Sequence, residues 1–343
     1  GHSIKGNINV APGATLNFSP ITASTFNLNG TVAQSINSSG TLTFNDNQSL
    51  AINNSNGITL NTNVTLGIFG VLTLTNGRLI LGNNNLVLTN STPDPGGAIA
   101  SASASSYIVT NGTGALQRAV SGPGLFGFPV GYSTVWQPAS ITFGAFTGGP
   151  TSLSARFITG WGGNNGLTPP LMETLPDPDL TIDRISVIGY WEIVAGAVIP
   201  DSYNGIFIAN SFGDIIDYSK LVLVKRDNAS SPWMLDGLHV TTTGTNPQAI
   251  LQRNGMSGFS QFAVGGENNV ALPVTIISFS GYKDGSRNQL RWTTVTETNN
   301  RGFELQRSAD GINFSPIGYV NSLAPGGNSS DQVNYSFTDN APS

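Results

Sequence analysis

Three aspartates crowd one stretch of an otherwise charge-poor chain: Asp177, Asp179 and Asp183. Carboxylates at that spacing are the hard oxygen donors that calcium takes, but the ion wants about six to eight oxygens. No twelve-residue calcium loop with its closing Glu is present, and Pro176 and Pro178 mark a turn. The expectation is a solvated loop without bound metal, and the Asp214/Asp217 pair reads the same way. Glycoside hydrolysis would need two carboxylates about 5–9.5 Å apart. Residues 4–106 offer only Asp46 and Asp94, with Lys5 and Arg78 as the only cations, so a lyase finds no base beside its acids either. His2 and His239 are far apart in sequence, and a lone His239 reads as a surface residue. With no Gly-x-Ser-x-Gly elbow and no cysteine, no catalytic, cofactor-binding or metal-binding residue is expected.

Indoles offer the other chemistry. Trp161 lies in Gly160-Trp161-Gly162-Gly163-Asn164-Asn165-Gly166, and Trp233 follows Ser230-Ser231-Pro232. An exposed ring on such loops could stack on a sugar, so Trp161 and Trp233 are the candidate glycan-stacking residues. Trp136, Trp191 and Trp292 sit in strand-like runs and read as core, where aromatics dominate burial. Sequons such as Asn63-Val64-Thr65 follow from the Asn/Thr richness alone.

The elements that would carry these residues are set by a repeat. Leu28, Leu50 and Leu72 recur at a 22-residue step, as do Ile36, Ile58 and Ile80; Leu42, Val64 and Leu86; and Phe44, Leu66 and Leu88. A fixed period of about 20–50 residues signals stacked units that cannot bury their apolar faces alone. Three apolar doublets per unit, such as Leu50/Ile52, Ile58/Leu60 and Val64/Leu66, suit three strands per coil of a parallel β-helix. Leu28, Leu50 and Leu72 are expected to form one inward column, and Ile36, Ile58 and Ile80 another. About four to five coils would stack to about 20–24 Å at the spacing of paired strands. Asn columns at the corners could form amide ladders. On the same step Asp46 and Asp94 lie at different positions around the coil. Pro93-Asp94-Pro95-Gly96-Gly97 starts the exit.

Composition agrees with an all-β chain. Of 343 residues, 10% are charged and 42 are glycine, which favours short strands and turns over helices. The net charge of −5 and the lack of a basic patch argue against a nucleic-acid partner, and no apolar run is long enough for a membrane span. The opening Gly1-His2-Ser3 is set aside from fold reasoning. Three segments follow: a parallel β-helix domain at 4–106 with about 22 residues per coil, a β-sandwich at 107–268 with a long Gly/Pro-rich loop at 160–183, and strands at 274–282, 287–293, 302–308, 314–320 and 333–338 within 272–343. Asp310-Gly311 is a hairpin signal in the last segment.

The last segment resembles a known module. Leu272-Pro273-Val274-Thr275-Ile276-Ile277-Ser278-Phe279, Leu290-Arg291-Trp292-Thr293-Thr294, the run from Gly302-Phe303-Glu304-Leu305-Gln306 to Phe314, and Tyr335-Ser336-Phe337-Thr338-Asp339 resemble the fibronectin type III-like module of surface proteins that Bacteroidota export by type IX secretion. Gly127-Phe128-Pro129-Val130-Gly131, Tyr190-Trp191-Glu192-Ile193 and Gly258-Phe259-Ser260-Gln261-Phe262-Ala263-Val264-Gly265 resemble the β-sandwich that precedes it. The resemblance covers about residues 116–343. It implies export, display at the outer cell surface, and partnership with the secretion machinery and cell envelope through a C-terminal region beyond Ser343. It also implies that the last module, an immunoglobulin/fibronectin type III-like sandwich, is incomplete within 272–343, leaving Trp292, Phe303 and Phe337 partly uncovered. The expected function is a non-enzymatic structural or adhesin-like surface protein, with surface glycans or other cells as contacts. The alternative is a carbohydrate-binding accessory region of a polysaccharide-degrading protein. A lyase or hydrolase is disfavoured by the missing acids.

The repeat carries its own test. Leu50→Asp would place a carboxylate in an inward column without counter-charge, at a cost of at least about several kcal/mol. The repeat region is expected to unfold while residues 116–268 stay folded, and equal melting of variant and wild type would contradict the repeat.

Overall fold

The structure is a computed structural model that describes residues 2–173, 180–214, 217–267, 274–297, 300, 302–309, 313–327, 329 and 331–340. It divides into two compact units, residues 1–212 with 217–268, and residues 213–216 with 269–343. Among the described residues no helix is long and apolar enough to cross a membrane.

The first unit begins as a β-solenoid. Fifteen described strands, from His2–Ile4 to Leu116–Val120, wind five coils of three strands each. The first face stacks His2–Ile4, Ser24–Leu28, Gln48–Asn53, Leu72–Asn76 and Ile99–Ala100. The second holds Ile8–Val10, Gln34–Ser38, Ile58–Leu60, Leu79–Ile80 and Ile108–Val109, and the third Thr15–Phe18, Thr41–Phe44, Val64–Leu66, Leu86–Leu88 and Leu116–Val120. All neighbours among these strands run parallel, and in the middle coils apolar side chains alternate inward, as along Ile58–Leu60, Val64–Leu66 and Leu86–Leu88.

The columns are less regular than a constant step of 22. Phe44, Leu66 and Leu88 do stack, and Leu86 pairs with Val64, while Leu42 pairs with Leu16 and is half-buried. Leu72 pairs with Leu50, but Leu50 pairs with Phe26, and Leu28 lies beside Ile52. On the second face Ile36 meets Leu60 and Ile58 meets Leu79, so Ile80 sits opposite Thr59, half-buried on the outward side. The columns expected for Leu28 and for Ile36/Ile58/Ile80 are therefore corrected, while the parallel solenoid stands. Coils differ in length at their corners, and because side chains alternate with period two, one residue more or less moves a whole strand to the other face.

Polar groups line outward strand positions as well as the corners, and the ladder expected at the corners forms along the second face. Asn37 Nδ2 donates to Asn9 Oδ1 at 2.7 Å, and Asn61 Nδ2 donates to Asn37 Oδ1 at 2.6 Å, a short amide ladder. Buried Asn54 donates to Gln34 Oε1 at 2.9 Å, and Gln34 donates on to the Gly6 carbonyl at 2.6 Å. Gly77 turns its corner at φ +81°, where a Cβ would stand 1.8 Å from the Asn54 carbonyl oxygen; only glycine fits there.

The third face does not end with the solenoid. Leu116–Val120 pairs parallel with Leu86–Leu88 on one side and antiparallel with Thr151–Thr159 on the other. The sheet continues through Arg184–Ala195, Gln261–Gly266 and Leu221–Arg226 to nine described strands. A second antiparallel sheet, Gly124–Phe128, Ala139–Phe143, Tyr203–Ala209, Gln248–Met256 and Leu238–Thr245, packs on it. Trp191 and Phe262 from the first sheet meet Phe207 from the second at centroid distances of 5.2 and 4.9 Å. The second face also gains Val130–Tyr132, parallel to Ile108–Val109, covered by Val135–Trp136. The fifth coil thus closes at Val120, beyond the change of composition at 106/107, and solenoid and sandwich share one compact unit.

Arg118 sits at that junction, in register with Leu88 of the inward column, and its side chain is fully buried. It donates to Asp94 through both terminal nitrogens, at 2.7 and 3.2 Å, and to the Gly127 carbonyl at 2.7 Å. Asp94 Oδ2 also accepts the Gly127 N–H at 2.8 Å, and the guanidinium lies 5.5 and 5.9 Å from the rings of Phe126 and Phe128. Asp94, expected to stand apart from any base, is thus paired. Asp46 is exposed at a corner between Thr41–Phe44 and Gln48–Asn53.

The second unit has the expected five strands within a few residues: a sheet of Thr275–Asp284, Arg287–Thr296 and Val333–Asp339, and a hairpin of Gly302–Ser308 with Phe314–Asn321. Asp310 and Gly311 lie outside the described residues. Trp292 is buried, stacked on Tyr335 at 5.3 Å, contrary to the expectation that it lacks cover; Phe303 and Phe337 are half-buried. The hairpin and Tyr335 supply that cover.

Two outcomes follow. Because one sheet runs through both parts, Leu50→Asp is now expected to lower the melting of solenoid and sandwich together, not of the solenoid alone. Asp94→Ala leaves a buried guanidinium without counter-charge and is expected to cost about 3–5 kcal/mol in urea denaturation. Adding Arg118→Met should recover part of that loss, whereas additive losses would show that the pair is not coupled.

Candidate functional site

Trp161 is 48% exposed on a loop that is held from below. Gly160, Gly163 and Gly166 take positive φ of 102°, 77° and 84°, which lets the backbone fold tightly over its support. Arg226 donates to the Gly162 carbonyl at 2.7 Å, and Trp233 Nε1 donates to the Gly163 carbonyl at 2.8 Å. Asn165 exchanges bonds with Trp233 N–H and the Ser230 carbonyl, both at 2.9 Å, and Asn164 Oδ1 accepts Ile185 N–H at 2.9 Å.

Trp233 therefore does not fit the role expected for it. It is 1% exposed, packed with Leu167, Ile182, Ile185 and Val224, and Arg226 lies 4.2 Å from its ring centroid. Its ring is covered on one side by a cation, and its N–H is satisfied by the loop it supports. Trp191 is buried as expected, Trp292 is buried too, and Trp136, also read as core, is only half-buried. His239, expected at the surface, is buried opposite Arg253, on the inward phase of a strand whose neighbour Leu238 is exposed. Asp177 and Asp179 lie outside the described residues. Asp183 is half-buried, Asp214 is buried, and Asp217 caps the short turn Tyr218–Lys220 by accepting Ser219 N–H at 3.0 Å. Among the described residues no group of three or more His, Asp or Glu gathers where it could hold a metal ion.

Sequence reasoning missed a row of polar side chains that strand register brings together. Arg156 pairs with Glu192, Glu192 with Gln261, and Gln261 with Arg226, across four adjacent strands on the face opposite Phe157, Trp191 and Phe262. Arg156 Nε donates to Glu192 Oε2 at 2.7 Å, Gln261 Nε2 donates to Glu192 Oε1 at 3.2 Å, and Arg226 Nε donates to Gln261 Oε1 at 2.7 Å. One end of the row holds the Trp161 loop. The other opens on a cleft of about 410 Å³ lined by Thr110, Asn111, Tyr132, Ser133, Arg156 and Thr159. A smaller apolar cleft of about 230 Å³ lies between Ile99–Ala102 and Phe128, Trp136, Ile206 and Ile208.

Other carboxylates with cationic partners are equally engaged. Glu173 meets Arg253 at 2.9 Å, and Asp236 meets Lys225 at 3.1 Å. In the second unit Glu297 is buried and resembles a catalytic acid in depth, yet four donors hold it: Thr294 at 2.7 Å, Asn300 at 2.8 Å, Ser322 at 2.6 Å and the Tyr335 hydroxyl. Burial raises its pKa, but the four hydrogen bonds together outweigh burial, so the carboxyl sits below its ordinary value. A general acid would need the opposite shift.

That lowered pKa makes a pH-dependent contribution. It is fully present above the unfolded Glu value of about 4.3 and is lost as pH falls through the lower folded value. Amides of strand Arg287–Thr296 should therefore exchange faster with solvent on acidification through that window, measured against the intrinsic rate. Glu297→Gln should flatten the dependence, and an unchanged slope in the variant would contradict the assignment. Compared with known protein families, curated proteins and solved structures, the chain matches none of them.

Proposed function

We propose that this chain is a non-enzymatic, exported surface protein of the structural or adhesin type, a rigid body that holds recognition surfaces away from the cell. The observation that carries this reading is the sheet that runs unbroken from solenoid into sandwich and makes residues 1–212 and 217–268 one unit. Such a body resists bending because its strands are tied edge to edge by backbone hydrogen bonds. The engagement of Asp94, Glu173, Glu192, Asp236 and Glu297 in fold-holding bonds supports it too. Export by type IX secretion rests on the resemblance of residues 116–343, with the secretion machinery and envelope as partners through the C-terminal region.

The fibronectin type III-like reading of the second unit is supported by its strand pattern and its buried core of Trp292, Leu305 and Tyr335. A second reading, carbohydrate binding beside a degradative partner, is favoured by the half-exposed Trp161 on its anchored loop.

An antibody against residues 2–268 should label intact native cells, and surface proteolysis should release the epitope. The purified chain should show no turnover of plant or algal polysaccharides. Steady turnover at about 1 s⁻¹ or faster, within the ordinary enzymatic range, would overturn the non-enzymatic reading. An epitope reached only after lysis would overturn surface display.

A further inference from the structure

We infer that the cleft beside Tyr132 binds a neutral saccharide, with the tyrosine ring as stacking face and Arg156, Asn111 and Thr159 as readers of its hydroxyls. The inference rests on the reading of this chain as a surface recognition protein and names what it recognises. The cleft, about 410 Å³, falls within the range of small-ligand sites, about 300–1,000 Å³. It lies entirely within the first unit, where the last coil meets the sandwich.

Its aromatic wall is fixed. Tyr132 stacks on buried Phe157 with ring centroids 5.3 Å apart and planes 16° from parallel. One face of the half-buried ring is thereby spent on the core, and the residue still lines the cleft. Ser133, next in the chain, holds φ at +44°, a left-handed conformation that is uncommon outside glycine. Two bonds keep it there: its carbonyl accepts Arg78 Nη1 at 2.7 Å and the Tyr107 hydroxyl at 3.2 Å. The turn that presents Tyr132 is thus held before any ligand arrives, which lowers the entropy cost of binding.

The charge on the wall selects the ligand. Arg156 places two nitrogens on Glu192 Oε2, at 2.7 and 2.6 Å, so its charge is already compensated and its plane is set. A phosphate, sulfate or uronate would find a guanidinium whose charge Glu192 already balances, and would give up its hydration for little return. A neutral ring with adjacent hydroxyls meets no such penalty. Planar guanidinium and amide groups make paired hydrogen bonds to such hydroxyls, and the C–H face of the ring lies on an aromatic. Trp161 stands two residues beyond Thr159, so its Cα is within about 7.6 Å of that lip, close enough to contact a second sugar unit. The Glu192–Gln261–Arg226 row ties the loop of Trp161 to the wall of the cleft.

The test uses the whole chain and saturation-transfer NMR with cellobiose, maltotriose, lactose, mannobiose and N,N′-diacetylchitobiose, set against a sulfated chondroitin disaccharide. At least one neutral probe should bind, and Tyr132→Ala should weaken it by about tenfold or more. Because that variant also uncovers Phe157, the exposed change Thr159→Val provides a second reading and should weaken binding about threefold without moving the melting temperature. No neutral probe binding at about 10 mM, preference for the sulfated sugar, or affinity unchanged in both variants would each overturn the cleft. Binding lost only in Trp161→Ala would overturn it too, by moving the site to the loop. A chain displayed on intact cells but blind to every sugar would defeat this inference and leave the surface-protein reading intact.

Discussion

An open stack of parallel strands ends in unpaired backbone donors and acceptors, and how that end is closed governs everything else in this molecule. The solution is a change of strand direction within one sheet. Leu116–Val120 accepts a parallel neighbour below and an antiparallel one above, so the third face of the solenoid becomes one wall of the sandwich. The inward face stays continuous across the change, and the apolar column of Phe44, Leu66 and Leu88 leads towards the sandwich core. At the point of transition that column places Arg118, whose charge would be ruinous there without Asp94. The Pro-Gly-rich stretch that breaks the repeat is what brings Asp94 across.

The same sheet explains where the proposed recognition surface lies. On the side away from the core its strands align Arg156, Glu192, Gln261 and Arg226 into one transverse row. Cross-strand neighbours of this kind hold each other's geometry, because each side chain is anchored on a backbone already fixed by the ladder. At one end the row supports the loop that raises Trp161, and at the other it fixes a wall of the cleft beside Tyr132. Trp233, which looks from its flanking Ser-Ser-Pro like a second exposed indole, is part of the foundation under the first. A chain with so few charges uses several of them to set surfaces in place.

The two units divide the work of stability differently. The first relies on stacked aliphatic columns and a sandwich core in which Trp191, Phe157, Phe207 and Phe262 meet in edge-on and stacked contacts. The second is small and builds its core on Trp292, Leu305 and Tyr335, with Glu297 collecting the nearby hydroxyl and amide donors. A buried carboxylate of that kind is tolerable only because each oxygen is satisfied twice.

By itself the sequence determined the all-β class, the three-strand coil and the five strands of the last segment, since these follow from alternation and spacing that neighbouring residues report locally. Phe44, Leu66 and Leu88 were legible because their coils kept a step of 22. Ile80 was not, because one residue fewer at a corner reverses the phase, and corner length is settled by how each coil seats on the one beneath. Tertiary structure alone decided that the solenoid runs on to Val120, that Trp233 and His239 are buried, and that Arg156 stands beside Glu192 and lines one cleft with Tyr132. Residues 156, 192, 261 and 226 share no local pattern. Their meeting depends on the register of four strands drawn from distant parts of the chain, and register is a property of the assembled sheet.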